Sequence, residues 1–155
     1  MTVRTQLPPI EDVLPHRGNM LLIDCLIEFN NESTIAEYSP KSDAWYLDAE
    51  GNMPAWIGIE LMAQTIAAHV GELKRREGKP QKNGVLVGTR RYRSSIPSFA
   101  SNVPLRICVA IAYQDQSGLA AYDCNITCSD TILAEATLKV FEPDNFQTFL
   151  QESLS

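Results

Sequence analysis

The chain has 155 residues, a net charge of -6 at pH 7, and 45% hydrophobic and 21% charged residues. That balance is ordinary for one globular domain with a real core, and its acidity argues against a nucleic-acid footprint. Four cysteines without a CxxC pair read as small core residues rather than a disulfide framework, and with only His16 and His69 beside them a zinc site is not expected.

Met1 to Ile10 has no apolar signal core, so a cytoplasmic protein is expected, and the sequons at Asn31 and Asn125 are read as chance. Ile10 to Leu14 predicts a helical turn before Pro15, and residues 15–19 a polar corner. Met20 to Phe29 is β-permissive, Asn30-Asn31-Glu32 turns it, and Thr34 to Ser39 alternates as a second strand. Residues 40–53 form a polar loop anchored by Trp45 and Tyr46.

Pro54 to Lys74 predicts one long helix, with Pro54 at its first position and Gly78 beyond its end. It is apolar on nearly every side from Ala55 to Val70, so the rest of the chain is expected to wrap it. Glu60, Gln64 and His69 interrupt it too often for a membrane span. At ~100° per residue, Glu60 and Gln64 share a face. A carboxyl there is either a structural or capping acid, or one facing a pocket with a tuned pKa. Gly58 would allow close approach of a ligand or a backbone. His69 is ~900° and ~13.5 Å along the helix from Glu60, hence on the opposite face, and reads as a partly buried or surface helix histidine.

A basic linker, Lys74 to Gly84, precedes four strands: Val85 to Tyr92, Leu105 to Tyr113, Ala120 to Cys128 and Ile132 to Val140. Tight turns at Gln116-Ser117-Gly118 and Ser129-Asp130 make the last three a meander. The whole of 1–155 is expected to be a single domain, with segment 1–14 and an amphipathic helix at 144–153 as extensions. Two strands, a long apolar helix and four strands give an α+β architecture. A six-stranded antiparallel sheet curled round a helix is the hot-dog fold. Its open edge and half-covered helix favour dimerisation.

Two motifs carry a resemblance. Leu14-Pro15-His16-Arg17-Gly18-Asn19-Met20-Leu21-Leu22-Ile23-Asp24 resembles the N-terminal signature of FabZ-type 3-hydroxyacyl-[acyl-carrier-protein] dehydratases. Pro54 to Gln64, ending Ile59-Glu60-Leu61-Met62-Ala63-Gln64, resembles the start of their central helix with its catalytic glutamate. One departure stands out. The FabZ pattern has a catalytic histidine before the helix, and an ungapped count from Glu60 puts Tyr46 there. With Leu47-Asp48 and Met53-Pro54-Ala55-Trp56-Ile57-Gly58, this variant looks most like the ApeP-like dehydratases of aryl polyene pigment clusters, which pair with a second, FabZ-like subunit.

The resemblance implies removal of water from a 3-hydroxyacyl thioester carried on the phosphopantetheine of an acyl carrier protein. It implies no metal and no other cofactor, and a homodimer or a heterodimer with a FabZ-like chain. Glu60 matches the catalytic acid, and His16 is the candidate base, against a structural or pocket-lining role. Tyr46, Pro54, Gly58, Gln64 and Arg17 are candidate substrate-binding residues. Arg17 is equally readable as a structural ion-pair partner. Arg90, Arg91 and Arg93 could meet an acidic carrier protein or simply form a solvated face. Two other readings remain: a catalytically silent subunit supporting an active partner, and an acyl thioesterase on the same fold.

Overall fold

The structure is a computed structural model that describes residues 7–79 and 85–141. The expected helix at 144–153 and residues 80–84 of the expected linker lie outside the described residues. Short 3-10 turns occupy Ile10–Asp12 and Gly18–Met20. Strands β1 (Cys25–Phe29) and β2 (Ser33–Tyr38) form a hairpin. Its turn is closed by Asn30 Oδ1, which accepts from Glu32 N at 2.8 Å and Ser33 N at 2.9 Å. After the two-residue β3 (Met53–Pro54) comes α1 (Ile57–Arg76). Then follow β4 (Val85–Ser94), the two-residue β5 (Ser98–Phe99), β6 (Leu105–Gln114), β7 (Leu119–Cys128) and β8 (Thr131–Phe141).

Six strands make one antiparallel sheet in the order β1-β2-β6-β7-β8-β4, and β3 pairs with β5 separately. The sheet is open, with β1 and β4 at its edges. Register shifts in four of its five pairings supply local bends that let it curl round the helix. Ser129 and Asp130 turn β7 into β8 with φ of 47° and 68°, the two left-handed residues a tight hairpin needs.

The alternation read in the sequence decides the inner face. Thr34, Ala36 and Tyr38 of β2, Leu105, Ile107 and Val109 of β6, and Tyr122, Cys124 and Ile126 of β7 all point at the helix and are buried. From the helix, Ile57, Leu61, Met62, Ile66 and Ala68 meet them. Each large apolar side chain so buried contributes roughly 1.5–3 kcal/mol. A single curled layer covers only one side of a helix. Trp56 and Glu60 remain exposed, and Ile59, Ala63, Ala67 and Val70 are only partly covered, so α1 has an open flank.

Three expectations change. The helix begins at Ile57, not Pro54; Pro54 instead lies in β3, opposite Ser98. A proline lacks the N–H that a ladder uses, so it is tolerated in such a two-residue edge pair as well as at a helix start. Cys25 is exposed rather than in the core, whereas Cys124 is buried. Burial, with Asp123 and Cys108 adding to it, pushes the Cys124 thiol up to about 12. His69 is fully buried, not a surface or half-buried helix residue.

Candidate functional site

Glu60 lies in the first turn of α1, where the positive end of the helix dipole favours a carboxylate. Its side chain is exposed on the open flank. The buried Gln64, one turn on, fixes it. Gln64 Oε1 accepts from Leu22 N at 2.9 Å. Gln64 Nε2 donates to Met20 O at 2.7 Å and to Glu60 Oε1 at 3.0 Å. The donor at Leu22 and the acceptor at Met20 leave the carboxamide one orientation, so the second amide hydrogen has to face Glu60. The two motifs of the sequence are thus joined through this one side chain.

The helix entrance is built from turns. Ala55 N donates to Pro97 O at 3.0 Å, and Gly58 N to Ala55 O at 2.9 Å. Tyr92 Oη also donates to Ala55 O. Trp56, one turn before Glu60 in the chain, is 63% exposed, and Met20, whose carbonyl binds Gln64, is 62% exposed. Trp45, also exposed, is tied back by Nε1 donating to Asn19 O at 3.1 Å.

The other expected residues are placed differently. Tyr46 is buried in the core, where its hydroxyl meets Tyr38 Oη at 2.6 Å and accepts from Lys41 N at 2.8 Å. Burial, aided by the Tyr46 contact, holds the Tyr38 phenol well above its ordinary range. Arg17 turns its guanidinium onto backbone carbonyls, at 2.6 Å to Leu14, 2.7 Å to His16 and 2.9 Å to Glu11, and so ties the corner after the first turn. His16 is partly buried, and its Nδ1 is enclosed without a hydrogen-bond partner. No hydrogen bond or ion pair joins His16 to Glu60 among the described residues.

His69 is on the far face, as the helical spacing requires. Its Nδ1 meets Thr34 Oγ1 at 2.7 Å, and its ring lies between those of Phe29 and Tyr122. Burial lowers its pKa to about 4, and the Asn31 backbone nearby only partly offsets this. Nε2 has no partner of hydrogen-bonding geometry. The buried carboxylate of this helix is Glu72, which the sequence reading passed over. It receives Arg75 Nε at 2.9 Å, Arg75 Nη2 at 2.8 Å and Arg76 Nε at 2.7 Å. Burial raises its pKa, but the two guanidinium groups outweigh that and the net shift is downward.

A trough of about 440 Å³ lies on the sheet's other side, lined by Arg91, Arg93, Asp123, Asn125, Glu135 and Thr137 among others. Arg91 and Arg93 there stand among carboxylates rather than on a purely basic surface. Among the described residues no group of three or more His, Cys, Asp or Glu side chains could hold a metal ion. Nor is any helix of theirs long and apolar enough to cross a membrane.

A long helix held in an open, curled antiparallel sheet defines a hot-dog protein, and the carboxylate in the helix's first turn marks its candidate site. The sequence matches the ApeP-like family, described as ApeP dehydratase, over residues 8–151, and the chain belongs to that family. Among solved structures it is similar to the dehydratase heterocomplex ApeI:P from Xenorhabdus doucetiae. The identity is 25%, the TM-score 0.88, and 97% of this chain and 100% of that one are covered. A hypothetical thioesterase with coenzyme A from Streptococcus pneumoniae TIGR4 shares the fold at 15% identity and TM-score 0.60, over 76% of this chain and 83% of its own. The E. coli PaaI protein of the phenylacetic acid degradation operon does so at 14% identity and TM-score 0.60, over 76% and 81%. No curated protein sequence matches the chain significantly.

Proposed function

We propose that this chain is one subunit of a cytoplasmic 3-hydroxyacyl-[acyl-carrier-protein] dehydratase serving aryl polyene synthesis. In this reading it contributes Glu60, and a second, FabZ-like hot-dog chain contributes the imidazole. The acyl group rides on the carrier protein's phosphopantetheine, and no further cofactor takes part. The supporting observation is the setting of Glu60: held by Gln64 on an uncovered flank, with no histidine hydrogen-bonded to it among the described residues. His69 is sealed on the opposite face, and Tyr46, at the position counted for the usual histidine, spends its hydroxyl in the core. Two copies of this chain would add no histidine at that position. A heterodimer would, and the similar ApeI:P structure is a heterocomplex.

The chemistry follows from pairing. The base takes a proton from the carbon next to the thioester carbonyl. That electron pair forms the new double bond as the C3–O bond breaks, and the acid protonates the departing hydroxyl to give water. Backbone N–H groups at a helix start are suited to the thioester oxygen as it gains charge.

The second reading is a catalytically silent subunit, favoured by the engagement of Tyr46 in the core. One experiment separates them. Intact mass of a 3-hydroxyacyl-carrier-protein is followed with this chain alone, with a FabZ-like partner, and with the partner plus Glu60→Gln. Loss of water only with the partner, and its suppression by roughly a hundredfold or more in Glu60→Gln, is expected. Full activity of the Glu60→Gln assembly would establish the silent role instead.

A further inference from the structure

The space above Gly58 is already taken by Tyr92. A Cβ built on Gly58 would overlap the Tyr92 hydroxyl, and would lie 3.0 Å from Ile126 Cδ1 and 3.2 Å from Tyr92 Cζ. Glycine at 58 is therefore what admits the phenol to the helix entrance. There Tyr92 Oη donates to the Ala55 carbonyl, which also receives Gly58 N at 2.9 Å. Two donors converge on one carbonyl in the turn that opens α1.

The strand that delivers Tyr92 is distorted to do so. In β4, Arg90 pairs with Thr137 and Arg93 with Glu135, so Arg91 and Tyr92 together stand opposite Ala136. That is a bulge, and such bulges re-aim side chains. Arg91 carries the irregularity with φ of 53°, a left-handed conformation that is unfavourable for an arginine. The result is that Arg91 and Arg93 line the outer trough while Tyr92 alone of the three turns to the helix. Burial pushes the Tyr92 phenol up to about 12, so it keeps its proton and remains a donor.

We propose that Tyr92 is a positioning residue for the dehydration site: by holding the Ala55 carbonyl it fixes the first turn of α1, and with it the turn's amide groups and the bearing of Glu60. This role rests on the dehydratase reading. It predicts an effect on turnover rather than on substrate affinity, because the hydroxyl is committed to the backbone.

The test uses this chain assembled with its FabZ-like partner and a 3-hydroxyacyl-carrier-protein. Tyr92→Phe removes one oxygen and is expected to lower kcat on the order of ten- to a hundredfold, with KM unchanged. Gly58→Ala, which displaces the hydroxyl, is expected to give the same loss, and the double variant no further loss. Thermal melting gives an activity-independent readout: Gly58→Ala should cost much less stability in the Tyr92→Phe background than alone. Should Tyr92→Phe fail to fold, Gly58→Ala carries the kinetic test. An active wild type with an unchanged kcat in Tyr92→Phe, or a loss confined to KM, overturns this role alone. An inactive wild-type assembly overturns the dehydratase reading and this role with it, while leaving the melting result standing.

Discussion

The Gln64 carboxamide and the Glu60 carboxylate form a pair in which the buried member orients the exposed one. Their 3.0 Å hydrogen bond is the last of three that Gln64 makes, the others going to Leu22 N and Met20 O. Gln64→Leu would leave that backbone donor and acceptor unpaired in a buried place, at a cost of about 2–4 kcal/mol. Gln64→Glu would keep the acceptor but oppose a like charge to Glu60, and should be no better tolerated. Urea unfolding of the three proteins checks this; a Gln64→Leu midpoint equal to wild type would show that the network carries no stability.

Acid should weaken the fold in two stages. His69 has an ordinary pKa of 6.5 and a folded value of about 4. Between these the unfolded chain binds a proton that the folded chain refuses. Stability is therefore intact above about pH 6.5 and falls as pH drops towards 4, by a total of about 3 kcal/mol. Glu72 acts lower down. Its folded pKa is depressed from an ordinary 4.5, so its contribution is present above that value and is lost as pH falls further. Urea midpoints measured from pH 7.5 to 3.5 should decline from near pH 6.5 in wild type. In His69→Phe the upper part of the decline should vanish and only the lower part remain. A parallel curve for His69→Phe would remove His69 from the account.

The Tyr38–Tyr46 pair should be asymmetric. Tyr46→Phe strips the acceptor from Lys41 N and the partner from Tyr38, and is expected to destabilise by about 1–3 kcal/mol. Tyr38→Phe leaves the Lys41 bond at 2.8 Å in place and should cost less, about 1 kcal/mol. Thermal melts of the two variants give the order directly, and the reverse order would contradict the geometry.

Much of the fold was legible because alternation is a local property. Leu105, Ile107 and Val109 announce an inward face in the sequence and take it in the structure. The helix and its apolar character were legible in the same way. Its start was not, because a proline satisfies a helix's first position and a short edge strand equally well, and only the partner, Ser98, decides. Glu60 stands out from the helix pattern and from the motif, but which helical carboxylate is buried depends on how far the sheet wraps. One layer leaves Glu60 outside and encloses Glu72. Gln64 was placed on the right face, yet its partners, Met20 and Leu22, are more than 40 residues away in sequence. Gly58 was read as a place of close approach. What approaches is Tyr92, and nothing local in the sequence marks a bulge that turns it to the helix while Arg91 and Arg93 face the trough.

The uncovered flank of α1 bears on how the protein must be made. Trp56, with Ile59, Ala63, Ala67 and Val70 behind it, presents water with apolar surface that the chain's own sheet cannot reach. Produced by itself, the polypeptide would tend to self-associate and be lost to precipitation, and recovery would depend on its concentration during synthesis. Any chain that covers this flank, a second copy or a different subunit, would keep it in solution, so soluble yield becomes a property of what is made alongside it.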